Sequence, residues 1–217
     1  MTVQHLNPKV GIEKLVKTLR EKGITDERVL DAFRKVPRHL FVDGAMYSQA
    51  YDDNALPIGC GQTISQPYVV ALMTQLLELD KDEKILEIGT GSGFQTAILA
   101  QFSRRIFTIE RHRELGDTAR LRLREMGYQN IVFKVGDGSR GWPGHAPFDR
   151  IIVTAGAPGL PQVYAEQLAV GGKMIIPTGG RDTQQLEIYS KSSSGLSVEN
   201  VGYVTFVPLV GELGWQK

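Results

Sequence analysis

The sequence predicts an α/β fold: helices at the N-terminus, then a mostly parallel sheet, then an antiparallel hairpin at the C-terminus. Three observations carry this expectation. From Pro67 onward, short apolar runs alternate with segments of helical spacing, the pattern of strands joined by crossover helices. A glycine-rich run, LEIGTGSGFQ at 86–95, belongs to the first of these strands and the turn after it. The last two apolar runs have no helical segment between them, which asks for antiparallel pairing.

The elements follow in order. Ile12, Leu15, Val16 and Leu19 recur at helical spacing, and Gly23 ends that run. A second helix starts at Thr25, carries Asp26 and Glu27 in its first turn, buries Val29, Leu30, Phe33 and Val36, and stops before Pro37. The stretch DDNALPIGCGQTISQP, 52–67, is rich in Gly and Pro and reads as a loop with fixed backbone demands. A helix is expected over 67–78, with Val69, Val70, Leu72, Met73, Leu76 and Leu77 as its apolar residues. Strands are expected at 84–89, 105–110, 131–137, 148–156 and 172–179, with helices at 93–102, 113–126 and 161–169 between them. Gly127 suits the C-terminal stop of the middle helix and Pro161 the first turn of the last. The tail offers strands at 185–191 and 203–210, joined through the Ser/Gly loop KSSSG, 191–195. Five parallel strands with a terminal hairpin is the layout of a Rossmann-like methyltransferase fold, whereas a plain dinucleotide fold would carry another crossover helix.

The 217 residues suit a single domain, 1–217, with residues 1–65 as a helical and substrate-loop extension and 66–217 as the core. A formal charge of +1 gives no basic field for nucleic acid. Cys60 is the only cysteine, so a disulfide within the chain and a cysteine zinc cluster are both excluded. His5, His39, His112 and His145 lack HxxxH or HExxH spacing, and no metal is expected. The polar N-terminal stretch lacks a signal-peptide layout, and no apolar run is long enough for a bilayer, so a cytoplasmic protein is expected.

The glycine loop has the spacing E-x-G-x-G-x-G, through Glu87, Gly89, Gly91 and Gly93. A dinucleotide fingerprint, G-x-G-x-x-G, would need its third glycine where Phe94 stands. A carboxylate beside a pyrophosphate would also be repelled at close range. Glu87 instead suits a ligand with positive charge and no phosphate, and S-adenosylmethionine has both an ammonium and a sulfonium. The plain alternative is a strand-to-helix turn. The second strand ends in Glu110, placed to accept from ribose hydroxyls; its alternative is an ordinary helix-start acid. The third ends in the sequence GDG, 136–138, where Asp137 and Gly138 fit the adenine end of such a ligand; the alternative is a turn aspartate. Three acids at three successive strand tips are hard to assign to coincidence. Ser65, just before an apolar helix, reads on its own equally as an N-cap or as a site residue.

The stretches ALPIGCGQTISQPYVVALMTQLLEL, ILEIGTGSGFQTAILA, VGDGSRGWP, APFDRIIVTAGAP and FVPLVGE together resemble the bacterial protein-L-isoaspartate O-methyltransferases, over about residues 12–212. The resemblance implies a class I S-adenosylmethionine-dependent fold. It implies methyl transfer to the α-carboxylate of L-isoaspartyl residues in damaged proteins and peptides, leaving S-adenosyl-L-homocysteine. It maps the active-site serine to Ser65, with Thr63 and Gln66 beside the substrate cleft. The cofactor loop maps to Glu87, Gly89, Gly91 and Gly93, the ribose acid to Glu110, and the adenine side to Asp137 and Gly138. A monomer with no nucleic-acid or membrane partner is expected.

The rival readings have sequence signatures of their own. A base methyltransferase would carry an Asn/Asp-Pro-Pro-aromatic motif where this chain reads VTAGAP, 153–158. A small-molecule carboxyl or hydroxyl methyltransferase is the alternative that shares the same core. The VTAGAP stretch and FVPLVGELGW, 206–215, are expected walls of the cleft, with Trp215 either packing or covering it.

Overall fold

The computed structural model describes residues 7–216; His5 lies outside them. Helix α1 (Pro8–Glu21) is capped by Asn7, whose side chain accepts from the Lys9 amide, and buries Leu15, Val16 and Leu19. Helix α2 spans Glu27–Lys35. It starts later than expected because Asp26 caps the helix from outside, accepting from the Arg28 amide at 2.9 Å. Segment 52–67 is also a correction: within it lie two short strands, β1 (Leu56–Gly59) and β2 (Gln62–Ile64), paired antiparallel. The chain turns between them through Gly59, Cys60 and Gly61, all at positive φ. Strands this short, one carrying Pro57, leave no period to read.

Helix α3 (Pro67–Leu76) leads into the main sheet. Its strands are β3 (Lys84–Ile88), β4 (Arg105–Glu110), β5 (Ile131–Val135), β6 (Phe148–Val153), β7 (Leu168–Gly179), β8 (Gln184–Ser192) and β9 (Gly195–Val204). The spatial order is β5-β4-β3-β6-β7-β8-β9. Pairing is parallel from β5 to β7 and antiparallel from β7 through β9. Helices α4 (Phe94–Leu99), α5 (Arg113–Glu125) and α6 (Gln162–Gln167) make the crossovers. Alternation along the strands divides the core in two. Ile85, Ile106, Ile152 and Ile175 face the α1–α4 side, while Leu86, Phe107, Ile151 and Met174 face the side of Tyr164 on α6.

The last strand differs from its expected place. It is residues 195–204, not 203–210. Strand β9 is an edge, its side chains mostly exposed, so Ser197, Glu199 and Asn200 need no apolar face there. The apolar run after it buries Phe206 and Leu209 across the strand ends instead, bonding to Gly156 through the Val207 carbonyl and the Leu209 amide, both at 2.8 Å.

The chain runs outward from β3 to β5, then returns to place β6 on the other side of β3. The crevice over the C-terminal ends of β3 and β6 is therefore the switch point, where open α/β sheets bind ligands.

Candidate active site

A cavity opens at that switch point. The loop after β3, Glu110, Gly138 and Thr154 line one side, and the hairpin residues Gln62–Ser65 line the other. Gly89, Gly91 and Gly93 all have positive φ. At Gly89 a Cβ would collide with the Thr154 hydroxyl, which donates to the Gly89 carbonyl at 2.7 Å. At Gly138 a Cβ would sit 2.6 Å from Ile88 Cγ2. These glycines let backbone form the cavity wall.

Glu110 lines the cavity and braces the loop. One of its carboxylate oxygens accepts from the Gly91 amide and the other from the His112 amide, each at 2.8 Å. Each oxygen keeps a second lone pair for a hydroxyl donor.

Glu87 lies elsewhere than a contact residue would. Period two turns it away from Leu86 and Ile88, toward α4, and it is fully buried beneath the loop rather than lining the cavity. Its Oε2 accepts from Thr96 at 2.6 Å and from Thr108, its cross-strand neighbour, at 2.7 Å. Its Oε1 has no partner. Burial pushes the carboxyl up to about 7, against the pull of the two threonine hydroxyls. Gly93 is likewise set back, packed against Leu123 and Ala119.

Asp137 is also outside the cavity lining, while Gly138 is in it. One Asp137 oxygen accepts from the Ser139 amide and hydroxyl at 2.8 and 2.7 Å, and the other accepts from the Glu212 amide at 2.8 Å. Burial opposes ionisation of this carboxyl, but those bonds outweigh it and hold it below its ordinary range. Asp137 therefore anchors the C-terminal turn to the sheet edge. Trp215 packs: its indole N–H donates to the Gly156 carbonyl at 3.0 Å and Arg181 lies over its ring.

A second groove runs from Tyr68, Val69 and Leu72 on α3 to Gly202–Val207, at and just past the end of β9. Thr63, Ser65, Thr154 and Val207 line both spaces, so the two meet at Ser65. Gln66 lines only the groove. Ser65 is not the cap of α3: the N-cap position is Gln66, and it makes no side-chain cap bond. Two further residues, one in the site and one behind it, carry little sequence signal. Gln95 lines the cavity and is tied to Thr74 at 3.0 Å; Asp53 lies under Gln66, accepting from its amide group at 3.0 Å. The adjacent pair Asp52–Asp53 in a Gly/Pro-rich stretch was the only signal for the latter.

The residues present fit S-adenosylmethionine. A glycine cradle that a Cβ would fill, an acid at the cavity wall and an orphaned carboxylate oxygen beneath it suit a cationic ligand without phosphate.

A family model described as Protein-L-isoaspartate(D-aspartate) O-methyltransferase (PCMT) matches residues 11–214. The protein-L-isoaspartate O-methyltransferase of Dictyoglomus turgidum is 54% identical over 204 residues, covering 94% of this chain and 93% of that protein. Protein-L-isoaspartate O-methyltransferase 1 of Syntrophobacter fumaroxidans is 54% identical over 205 residues, covering 94% and 96%. Among solved structures, a protein-L-isoaspartate O-methyltransferase aligns with a TM-score of 0.84 at 29% identity, over 94% of this chain and 67% of that one. A Plasmodium falciparum beta-aspartate methyltransferase (PCMT), in complex with S-adenosyl-L-homocysteine, aligns with a TM-score of 0.78 at 25% identity, over 90% and 96%. With this match spanning both the glycine cavity and the hairpin that faces it, the chain belongs to the protein-L-isoaspartate O-methyltransferase family.

Proposed function

We propose that the protein transfers a methyl group from S-adenosylmethionine to the α-carboxylate of L-isoaspartyl residues, and that transfer takes place where the two spaces meet at Ser65. The observation that carries this reading is the shared lining: Thr63, Ser65, Thr154 and Val207 border both the glycine cavity and the groove. S-adenosylmethionine, when bound, supplies an electrophilic methyl group on a sulfonium.

The acceptor carboxylate is ionised at neutral pH, so no residue has to remove a proton from it. Ser65 donates its hydroxyl proton to one acceptor oxygen and fixes the direction of the other. Thr63 and Gln66 border the acceptor, and Glu110 holds the cofactor's ribose. Positioning of this kind is worth roughly 7–11 kcal/mol of barrier. The groove is open and lined largely by apolar residues, with the segment Gly202–Val207 along one wall, which suits an extended peptide of variable sequence.

The test is radiolabelled methyl transfer to an isoaspartyl peptide and its aspartyl twin, beside free carboxylate metabolites. Base-labile label on the isoaspartyl peptide alone is expected. Label on the metabolites instead would assign the site to a small-molecule acceptor. Ser65→Ala should lower kcat about tenfold to a hundredfold and leave S-adenosyl-L-homocysteine affinity unchanged.

A further inference from the structure

Helix α3 begins at Pro67, which has no amide hydrogen, so Tyr68 carries its first free donor. The N-cap side chain would ordinarily accept from such a donor, but Gln66 makes no cap bond, which leaves the neighbouring Ser65 hydroxyl as the nearest competing acceptor. Here the donor is already taken. Asp53, fifteen residues upstream, accepts from the Tyr68 amide at 2.8 Å with one carboxylate oxygen. Its other oxygen accepts from Gln66 Nε2 at 3.0 Å and from Lys22 Nζ at 2.5 Å. The Asp53 side chain is only 10% exposed. The next residue is anchored too: the Asn54 carbonyl accepts from the buried Arg38 guanidinium at 3.1 Å, and Arg38 lies over Phe94, which lines the glycine cavity. Ser65, between β2 and this capped helix, makes no side-chain hydrogen bond among the described residues.

We propose that Asp53 is a positioning residue for methyl transfer: by capping α3 from a distance and holding Gln66, it keeps the Ser65 hydroxyl free and aimed at the acceptor. This rests on the role of Ser65 given above. Asp53 touches neither cavity; it acts through the segment 65–68.

The test is a double-mutant cycle between Asp53→Ala and Ser65→Ala on the full chain. It reads kcat and KM for an isoaspartyl peptide, and S-adenosyl-L-homocysteine affinity by calorimetry. Asp53→Ala should lower kcat about tenfold to a hundredfold, because small misplacements of a positioning group cost that much. Cofactor-product affinity should stay within roughly twofold, since Asp53 does not reach the glycine cavity. In the Ser65→Ala background the same change should cost less than roughly threefold in kcat. Two further variants separate position from charge and cover the case in which Asp53→Ala does not fold. Asp53→Asn keeps the acceptor for the Tyr68 amide and can donate its new amide group to Gln66 Oε1 once the Gln66 amide turns over, and should hold most of kcat. Asp53→Glu keeps the charge opposite Lys22 but displaces the acceptor, and should lose kcat as Ala does. An equal loss in both backgrounds overturns this proposal while leaving Ser65 in its role, as does a wild-type kcat in Asp53→Glu. A wild-type kcat in Ser65→Ala overturns the Ser65 assignment and this proposal together.

Discussion

Replacing Glu87 by Gln should make the protein more stable at pH 8 and hardly change it at pH 4. Glu87 is fully buried, with one oxygen satisfied by Thr96 and Thr108 and the other by nothing. Its folded value is pushed up to about 7 from an ordinary 4.5, chiefly by burial. The folded state therefore binds more protons than the unfolded state between those values, and stability falls as pH rises through them. The penalty is absent below the unfolded value and complete above the folded one. A difference of about 2.5 pH units corresponds to about 3 kcal/mol at pH 8, and to less than about 1 kcal/mol at pH 5. Glutamine reproduces the protonated form: its carbonyl can take both threonine hydroxyls, and it does not ionise. Urea unfolding of both proteins from pH 4 to 8 should show the gap opening with pH, reaching roughly 6–12 °C in Tm terms for a chain of this size. A gap of constant size across that range would refute the burial argument. The same linkage reaches the cofactor. A cation settling over the loop favours the ionised form, so S-adenosylmethionine affinity should rise through pH 7 in the wild type and lose that rise in Glu87→Gln.

Other perturbations test separate parts of the site. Glu110→Ala removes the acceptor for the Gly91 and His112 amides as well as the proposed ribose contact, and calorimetry should show S-adenosyl-L-homocysteine affinity reduced about tenfold to a hundredfold, with kcat at saturation much less affected. Gly89→Ala places a Cβ against the Thr154 hydroxyl at a φ of +100°, and should weaken cofactor-product binding about tenfold or more while unfolding at lower denaturant. Asp137→Ala should free the turn at 211–215: hydrogen exchange at the Glu212 amide should accelerate, and stability should fall by about 1–3 kcal/mol. Because the native bonds hold Asp137 below its ordinary value, its contribution is complete above that value and is lost as pH falls through the lowered one.

What the sequence made legible follows what each element must satisfy locally. Strand β4 lies at the expected residues because five of its six side chains are buried, a demand that composition alone expresses. Strand β9 was hidden by the opposite condition, an edge with little to bury, while the apolar FVPLV run imitated a strand and serves as a wall of the site. The three acids at the strand tips were visible as a set. Their depths were not, because strand spacing does not say which neighbour will tie up each carboxylate. Glu87 turns under the loop to two threonines, Glu110 reaches the wall, and Asp137 is taken by an amide seventy-five residues later. The cap on α3 was illegible for the same reason: it comes from residue 53, and local capping rules look only a few residues back.

That displaced cap has a chemical consequence. A hydroxyl beside a helix start can turn toward the helix's free amide, accepting with a lone pair, or toward an incoming carboxylate, donating its O–H, and one rotamer rarely serves both. Assigning the amide to a carboxylate from another part of the chain removes the competition. In the role proposed for Ser65, the acceptor would meet a hydroxyl with no native bond to break, because Lys22, Arg38 and Asp53 hold the loop. The glycine side follows the same logic. Glu110 spends one lone pair per oxygen on backbone amides that shape the loop, which leaves it both fixed and able to accept. Glu110 by its own bonds, and Ser65 through the bonds of Gln66 and Tyr68, are each set in place with donor or acceptor capacity left over, which is the condition for positioning to lower a barrier without first costing a rearrangement.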